Sequence, residues 1–333
     1  MEKEKSKSKL RIIFLGTPEF AVESLKILIE NNYNVVAVIT APDQPAGRGL
    51  KLTHSAVKEF ALQHQIRIMQ PVKLTDSIFL DEVKQLNADL QIVVAFRMLP
   101  EVLWKMPPLG TFNLHASLLP QYRGAAPINR AIMNGETVTG VTTFFLKHEI
   151  DTGNILFSEK VLIGDNETAG QLHDRLKTTG AQLVLKTVKA IEEGTCKETP
   201  QQQLTLSETD LQNAPKIYKN DCIINWQNSI NTIYNQVRGL SPYPAAFFTI
   251  KYPDGKTDNI KIYKASKIID LSRTFTGDIF SNDKSYITIQ CNGGYLSIEE
   301  LQLPGKKRMK SEEFLRGHKI DDCTVVHQIN TLS

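Results

Sequence analysis

The chain is short of the residues that would announce several kinds of chemistry. Its four cysteines, Cys196, Cys222, Cys291 and Cys323, form no close pair, which argues against a disulfide framework and leaves reduced structural thiols. The seven histidines are dispersed, the cysteines form no Cys-x2–4-Cys pair, and tight acidic clusters are absent, so no metal is expected. No apolar run approaches the roughly 20 residues of a membrane-spanning helix. The opening MEKEKSKSK has no apolar core of the kind a signal peptide needs. A disordered tail over residues 1–9 and a cytoplasmic protein are therefore expected, with no membrane association. Repeats of solenoid length are also missing.

Glycine is scarce at one telling place. Residues 11–16, RIIFLG, read as a short buried strand, and Thr17-Pro18-Glu19 offers an N-cap, a proline for the first helical position and an acidic first turn. A helix to about residue 32 should follow. The turn itself, GTPEF, lacks the second and third glycines that let a pyrophosphate approach the backbone, which disfavours a dinucleotide cofactor.

What is present is ordinary in bulk: 333 residues, enough for two domains, with 41% hydrophobic and 23% charged. The net charge of +3 is unevenly spread. Residues 1–210 carry 23 Lys and Arg against 24 Asp and Glu, and residues 211–333 carry 16 against 12. A C-terminal surplus of that size is by itself compatible with a solvated face.

Strand-like and helix-like segments alternate through the first half: strands over 35–40, 67–69 and 90–96, helices over 55–65 and 75–87. Parallel neighbours need crossover connections, so this order predicts a Rossmann-like, mostly parallel sheet with helices on both faces, an α/β domain. Two extended runs, 141–146 and 154–161, precede a long amphipathic stretch over 168–193. Residues 194–211 are polar and Gln-rich and read as a linker. Beyond it, a helix near 230–238 and short strands broken by Gly and Pro suggest a small β-barrel. The expected division is a catalytic domain over 10–193, a linker over 194–211 and a smaller C-terminal domain over 212–333.

The densest polar chemistry lies in FNLHASLLPQYRGAAP, residues 112–127. A strand ending before the Ser-Leu-Leu-Pro turn leaves Asn113 and His115 on one face at its carboxyl end. Ligands of open α/β sheets sit at that end. An amide and an imidazole converging there suit a developing oxyanion. Asp151, in the Asp-Thr-Gly between the two extended runs, reads on its own as a turn aspartate. Leu118 and Leu119 offer an apolar slot of the kind a flat heterocycle needs.

Asn113 and His115 two apart, Ser117-Leu-Leu-Pro, Tyr122-Arg-Gly and Asp151-Thr-Gly together resemble the formyltransferase family that uses 10-formyltetrahydrofolate. Supporting stretches are RIIFLGTPEFA from residue 11, APDQPAGRGLKL from residue 41, QPVKL from residue 70 and GAAPI from residue 124. The resemblance implies Asn113, His115 and Asp151 as catalytic residues and Ser117, Leu118, Leu119 and Pro120 as the folate-binding segment. It implies an OB-like C-terminal barrel that binds tRNA, and methionyl-initiator tRNA as the formyl acceptor. On the same ground Arg48 and Lys51, in the Pro- and Gly-containing loop 41–52, and the basic run Lys306, Lys307 and Arg308 are expected to meet tRNA. No obligate protein partner is expected. The chain departs from the family at Phe96-Arg97-Met98, one residue shorter than usual, where Arg97 is open between a folate tail and solvent. Arg123 is open between holding its own turn and meeting nucleic acid. Two other readings stay open: a further formyl-folate enzyme acting on a sugar amine or hydrolysing the folate, and a non-catalytic RNA-binding protein.

Overall fold

The computed structural model describes residues 9–46, 51–204, 208–274, 276, 278–282, 284–320 and 322–326. Its chain divides into two compact units, one of residues 1–124, 139–161 and 173–213, the other of residues 125–138, 162–172 and 214–333.

The first unit is built on β1 (Arg11–Gly16), α1 (Glu19–Glu30), β2 (Asn34–Ile39), the short hairpin strands β3 (Gln44–Ala46) and β4 (Lys51–Thr53), and α2 (Ala56–Gln63). It continues through β5 (Ile68–Met69), α3 (Ser77–Gln85), β6 (Leu90–Val94), α4 (Glu101–Trp104) and β7 (Thr111–His115). The chain then runs through α5 (Pro127–Met133), β8 (Val138–Phe145), β9 (Ile155–Leu162) and α6 (Ala169–Glu192). The sheet order is β5-β2-β1-β6-β7-β8-β9. Pairing is parallel from β5 to β7 and turns antiparallel between β7 and β8. The mostly parallel α/β sheet expected from the alternation is thus the observed one. Its central strands read as continuous apolar runs because helices cover both faces. Phe14, Phe112 and Phe144 are fully buried, each worth about 1.5–3 kcal/mol of transfer free energy.

Caps place the helices. Ser55 Oγ accepts from Lys58 N at 3.1 Å to start α2, and Asp76 Oδ1 accepts from Phe79 N at 3.0 Å to start α3. At α1 the expectation needs correcting. Pro18, with ψ 173°, is the extended N-cap residue and has no side-chain cap, so the helix begins at Glu19 and Thr17 caps nothing.

The second unit carries α7 (Ile230–Gly239), then β10 (Ala246–Lys251), β11 (Thr257–Ile269), β12 (Ile279–Ser281), β13 (Ile287–Cys291), β14 (Gly294–Gln302), β15 (Met309–Lys310), α8 (Ser311–Leu315) and β16 (Thr324–Val325). The order β12-β13-β14-β11-β10-β16 is antiparallel throughout. A bridge between Asp278 and Thr324 links the two ends of that path, making a nearly closed barrel. Trp226 meets Phe248 edge-on in its core at 5.4 Å. Residues 125–138 and 162–172, which chain order puts in the first domain, belong to this unit through packing. Asn129 Nδ2 donates to Gly239 O at 2.7 Å, Arg130 pairs with Asp221 at 3.2 Å, and Tyr234 Oη donates to Asn166 Oδ1 at 2.7 Å.

Candidate active site

β7 ends where the sequence puts it, with Asn113 opposite Phe144 and His115 opposite Thr142 on β8. The turn that follows is tied to β8 by one hydroxyl. Thr142 Oγ1 donates to Ser117 O at 2.7 Å and accepts from Leu119 N at 3.2 Å. Ser117 Oγ turns inward to Gln121 O at 2.6 Å, and Leu119 packs with Phe144 and Ile155. Ser117, Leu119 and Pro120 are buried and build the turn, while Leu118 is half-buried.

His115 Nε2 lies 2.8 Å from the carbonyl oxygen of Tyr122. A carbonyl only accepts, so Nε2 carries the hydrogen and Nδ1 is the nitrogen free to gain or lose a proton. Nδ1 faces Asp151 Oδ2 at 3.8 Å, with both side chains nearly buried. That separation is an ion-pair distance, longer than a direct hydrogen bond. Asp151 Oδ2 also accepts the Gly124 N–H at 2.9 Å, which aims the carboxylate. His115 and Asp151, 36 positions apart in sequence, therefore meet.

The Asp151 turn is held under backbone constraint. Asp151 itself has φ +55°, a left-handed conformation uncommon outside glycine. Two residues on, a Cβ at Gly153 would lie 1.6 Å from the carbonyl oxygen of Phe145, so only glycine fits there.

Asn113 contrasts with its neighbours. Its Oδ1 is buried with no hydrogen-bond partner among the described residues. Buried polar atoms are nearly always paired, so this amide oxygen is an acceptor left for a donor from outside the protein.

Other expected residues fall differently. Arg48 lies outside the described residues, and of Lys51 only the backbone, in β4, is described. The hairpin's base is anchored: Asp43 accepts from Lys58 Nζ at 2.5 Å and Gln70 Nε2 at 2.9 Å, and Gln70 Nε2 also donates to Ala41 O at 2.8 Å. The Lys58 ammonium, then the Gln70 amide, hold the Asp43 carboxyl below the ordinary aspartate range. Arg97 donates to Val72 O at 2.8 Å and to Pro71 O, joining two loops rather than standing free in solvent. In the second unit Lys306 and Lys307 are exposed on the turn between β14 and β15. Arg308 is already paired with Glu300 and lies over the Tyr263 ring at 4.7 Å.

Sequence reasoning missed Gln201. Within the segment expected as a linker it is 1% exposed, and its amide reaches both the Asp151 turn and Arg123. Arg123 thereby holds its turn, one of its two open readings. A cavity of about 680 Å³ near the starts of β1 and β6, lined by Ser77, Lys84, Asn87, Asp89 and Met106 among others, contains none of the candidate residues. Among the described residues no three His, Cys, Asp or Glu side chains gather as a metal site would need, and no helix is long and apolar enough to cross a membrane.

Residues 10–188 match the family model of formyl transferases, and residues 216–319 match that of the formyl transferase C-terminal domain. The methionyl-tRNA formyltransferase of Bacteroides fragilis is 50% identical over 317 residues, covering 95% of this chain and 98% of its own length. That of Flavobacterium johnsoniae is 52% identical over 319 residues, covering 96% and 99%. Among solved structures, an N-formyltransferase from Helicobacter canadensis in complex with folinic acid and dTDP-3-aminofucose shares the fold with a TM-score of 0.63 at 21% identity, over 87% of this chain and 98% of that one. HypX from Aquifex aeolicus in complex with tetrahydrofolic acid does so with a TM-score of 0.60 at 19% identity, over 96% of this chain and 51% of that one.

Proposed function

This chain belongs to the formyl transferase family, and we propose that it moves the formyl group of 10-formyltetrahydrofolate to the free amino group of methionyl-initiator tRNA. The product, N-formylmethionyl-tRNA, serves translation initiation. The observation that carries this reading is identity of about half the residues to methionyl-tRNA formyltransferases along 95% of the chain, both family domains included. We assign residues 10–193 to catalysis and 212–333 to tRNA.

The local chemistry supports it. Transfer forms a bond between the amine nitrogen and the formyl carbon and breaks the bond from that carbon to the folate nitrogen. One proton leaves the first nitrogen and one arrives at the second. The Asn113 amide, with no protein partner on its oxygen, is free to turn its N–H toward the charge that develops on the formyl oxygen. His115 Nδ1 takes the proton released by the amine and returns it to the departing nitrogen. Asp151 favours the charged imidazolium between those events. The 117–120 turn, braced by Thr142, offers backbone groups and the Leu118 side chain to the pterin ring. Lys51, Lys306 and Lys307, with Arg48, supply positive charge for the tRNA backbone, and Arg308 contributes less because Glu300 already neutralises it.

Incubation with 10-formyltetrahydrofolate and charged initiator tRNA tests the reading, with elongator methionyl-tRNA and a sugar amine as control acceptors. Formylation of the initiator species is expected. Transfer to the sugar amine alone, or release of formate with no acceptor modified, would replace it with one of the other formyl-folate activities.

A further inference from the structure

We propose that Gln201 is a positioning residue for formyl transfer, setting the Asp151 carboxylate against His115 by clamping the two loops that flank the imidazole. The inference rests on the formyl-transfer reading and adds a residue to it.

The clamp is complete in its hydrogen bonds. Gln201 Nε2 donates to Asp151 O at 2.8 Å and to Gly153 O at 2.8 Å, using both amide hydrogens. Its Oε1 accepts from Arg123 Nε at 3.1 Å and Nη2 at 2.6 Å. Carbonyls only accept and a guanidinium only donates, so the amide has one possible orientation. The side chain is 1% exposed, where a lost partner is not replaced by water.

The contacts close a ring around the reacting groups. Gln201 holds the backbone of Asp151, a residue whose left-handed φ of +55° is otherwise unfavourable. The Gly124 N–H holds the carboxylate of the same residue. Arg123, next to Gly124, returns to Gln201, and Tyr122, next to Arg123, takes the His115 Nε2–H. Tyr122 also has positive φ, +60°, and its N–H donates to Gln212 O at 2.6 Å. Two strained loops are thus tied through one amide, and the 3.8 Å gap between His115 Nδ1 and Asp151 depends on it.

Gln201→Glu tests this with almost no change in shape. The new carboxylate still accepts from Arg123 but sets an oxygen against two carbonyl oxygens. Expected are a kcat lowered about ten- to a hundredfold, KM values for folate and charged tRNA within about threefold of the parent, and a displaced limb of the pH–rate profile. Arg123→Lys, which keeps one donor to Gln201, should recover most of the rate that Arg123→Met loses. If Gln201→Glu fails to fold, Gln201→Met introduces no charge and is read in the same way. A folded Gln201 variant with parental kcat, or with lowered kcat and a parental pH profile, would overturn the proposal, because loss of stability alone reduces the active fraction without moving the profile. A parent protein that formylates no tRNA would instead overturn the functional reading.

Discussion

The roles proposed for Asn113, His115 and Asp151 differ, and substitution should separate them. Asn113→Ala and His115→Ala are each expected to lower kcat by at least about a hundredfold with folate binding largely retained, since these contacts strengthen as charge develops. Steady-state kinetics with a folate titration measures both, and a near-parental kcat removes that residue from the mechanism. Asp151→Asn keeps the shape and the Gly124 contact but removes the charge facing His115 Nδ1. Activity should collapse and the pH–rate profile should lose the limb set by the pair. A variant with parental rate and profile would leave Asp151 as a turn residue and nothing more.

At the scale of elements, the hairpin of β3 and β4 and the turn between β8 and β9 carry the constraints. The hairpin is anchored by Asp43 to Lys58 on α2. A carboxyl held below its ordinary range keeps its charge, and hence the anchor, through neutral and mildly acidic pH and gives it up only as pH falls through that lowered value. Asp43→Asn is therefore expected to raise KM for charged tRNA by a similar factor at pH 6 and pH 8, with folate KM unchanged. A tRNA KM equal to the parent's would show that the hairpin's base has no part in acceptor binding. In the second turn, Gly153→Ala drives a methyl into the Phe145 carbonyl. The Asp151 turn must shift to relieve it, and a loss of kcat of at least about tenfold should follow, a 1 Å displacement being worth up to about a hundredfold.

Across the whole molecule, thiol chemistry and salt dependence report on burial and charge. Cys222, Cys291 and Cys323 are buried and only Cys196 is partly exposed. Burial raises the Cys196 and Cys222 thiols and pushes Cys291 up to about 11, so little thiolate exists at neutral pH. Titration with a thiol reagent at pH 7.5 should label Cys196 alone, and slowly, in the native protein, and all four after unfolding. Rapid native labelling of more than one thiol would contradict the packing of the barrel core. Replacing Lys306 and Lys307 by Gln should weaken tRNA binding and flatten its dependence on salt, by about 0.9 in the logarithmic slope for each lost phosphate contact. An unchanged slope would remove this turn from the tRNA surface.

The alternation that makes a parallel α/β sheet, the strand-rich barrel after it, and the family signature around Asn113, His115 and Asp151 were all legible in the order of the residues. Those properties are written locally, in apolar periodicity, caps and short motifs that neighbouring residues express together. Tertiary structure decided what depends on partners distant in the chain. It brought Asp151 to His115 across 36 positions through a turn that only Gly153 permits. It moved residues 125–138 and 162–172 into the barrel's unit, because packing against α7 and not chain order sets a domain's limits. It also buried Gln201 between the Asp151 turn and Arg123, which a polar, Gln-rich stretch conceals: composition reports how soluble a segment is, while the hydrogen bonds that bury one of its amides are formed by loops 50 and 78 residues away.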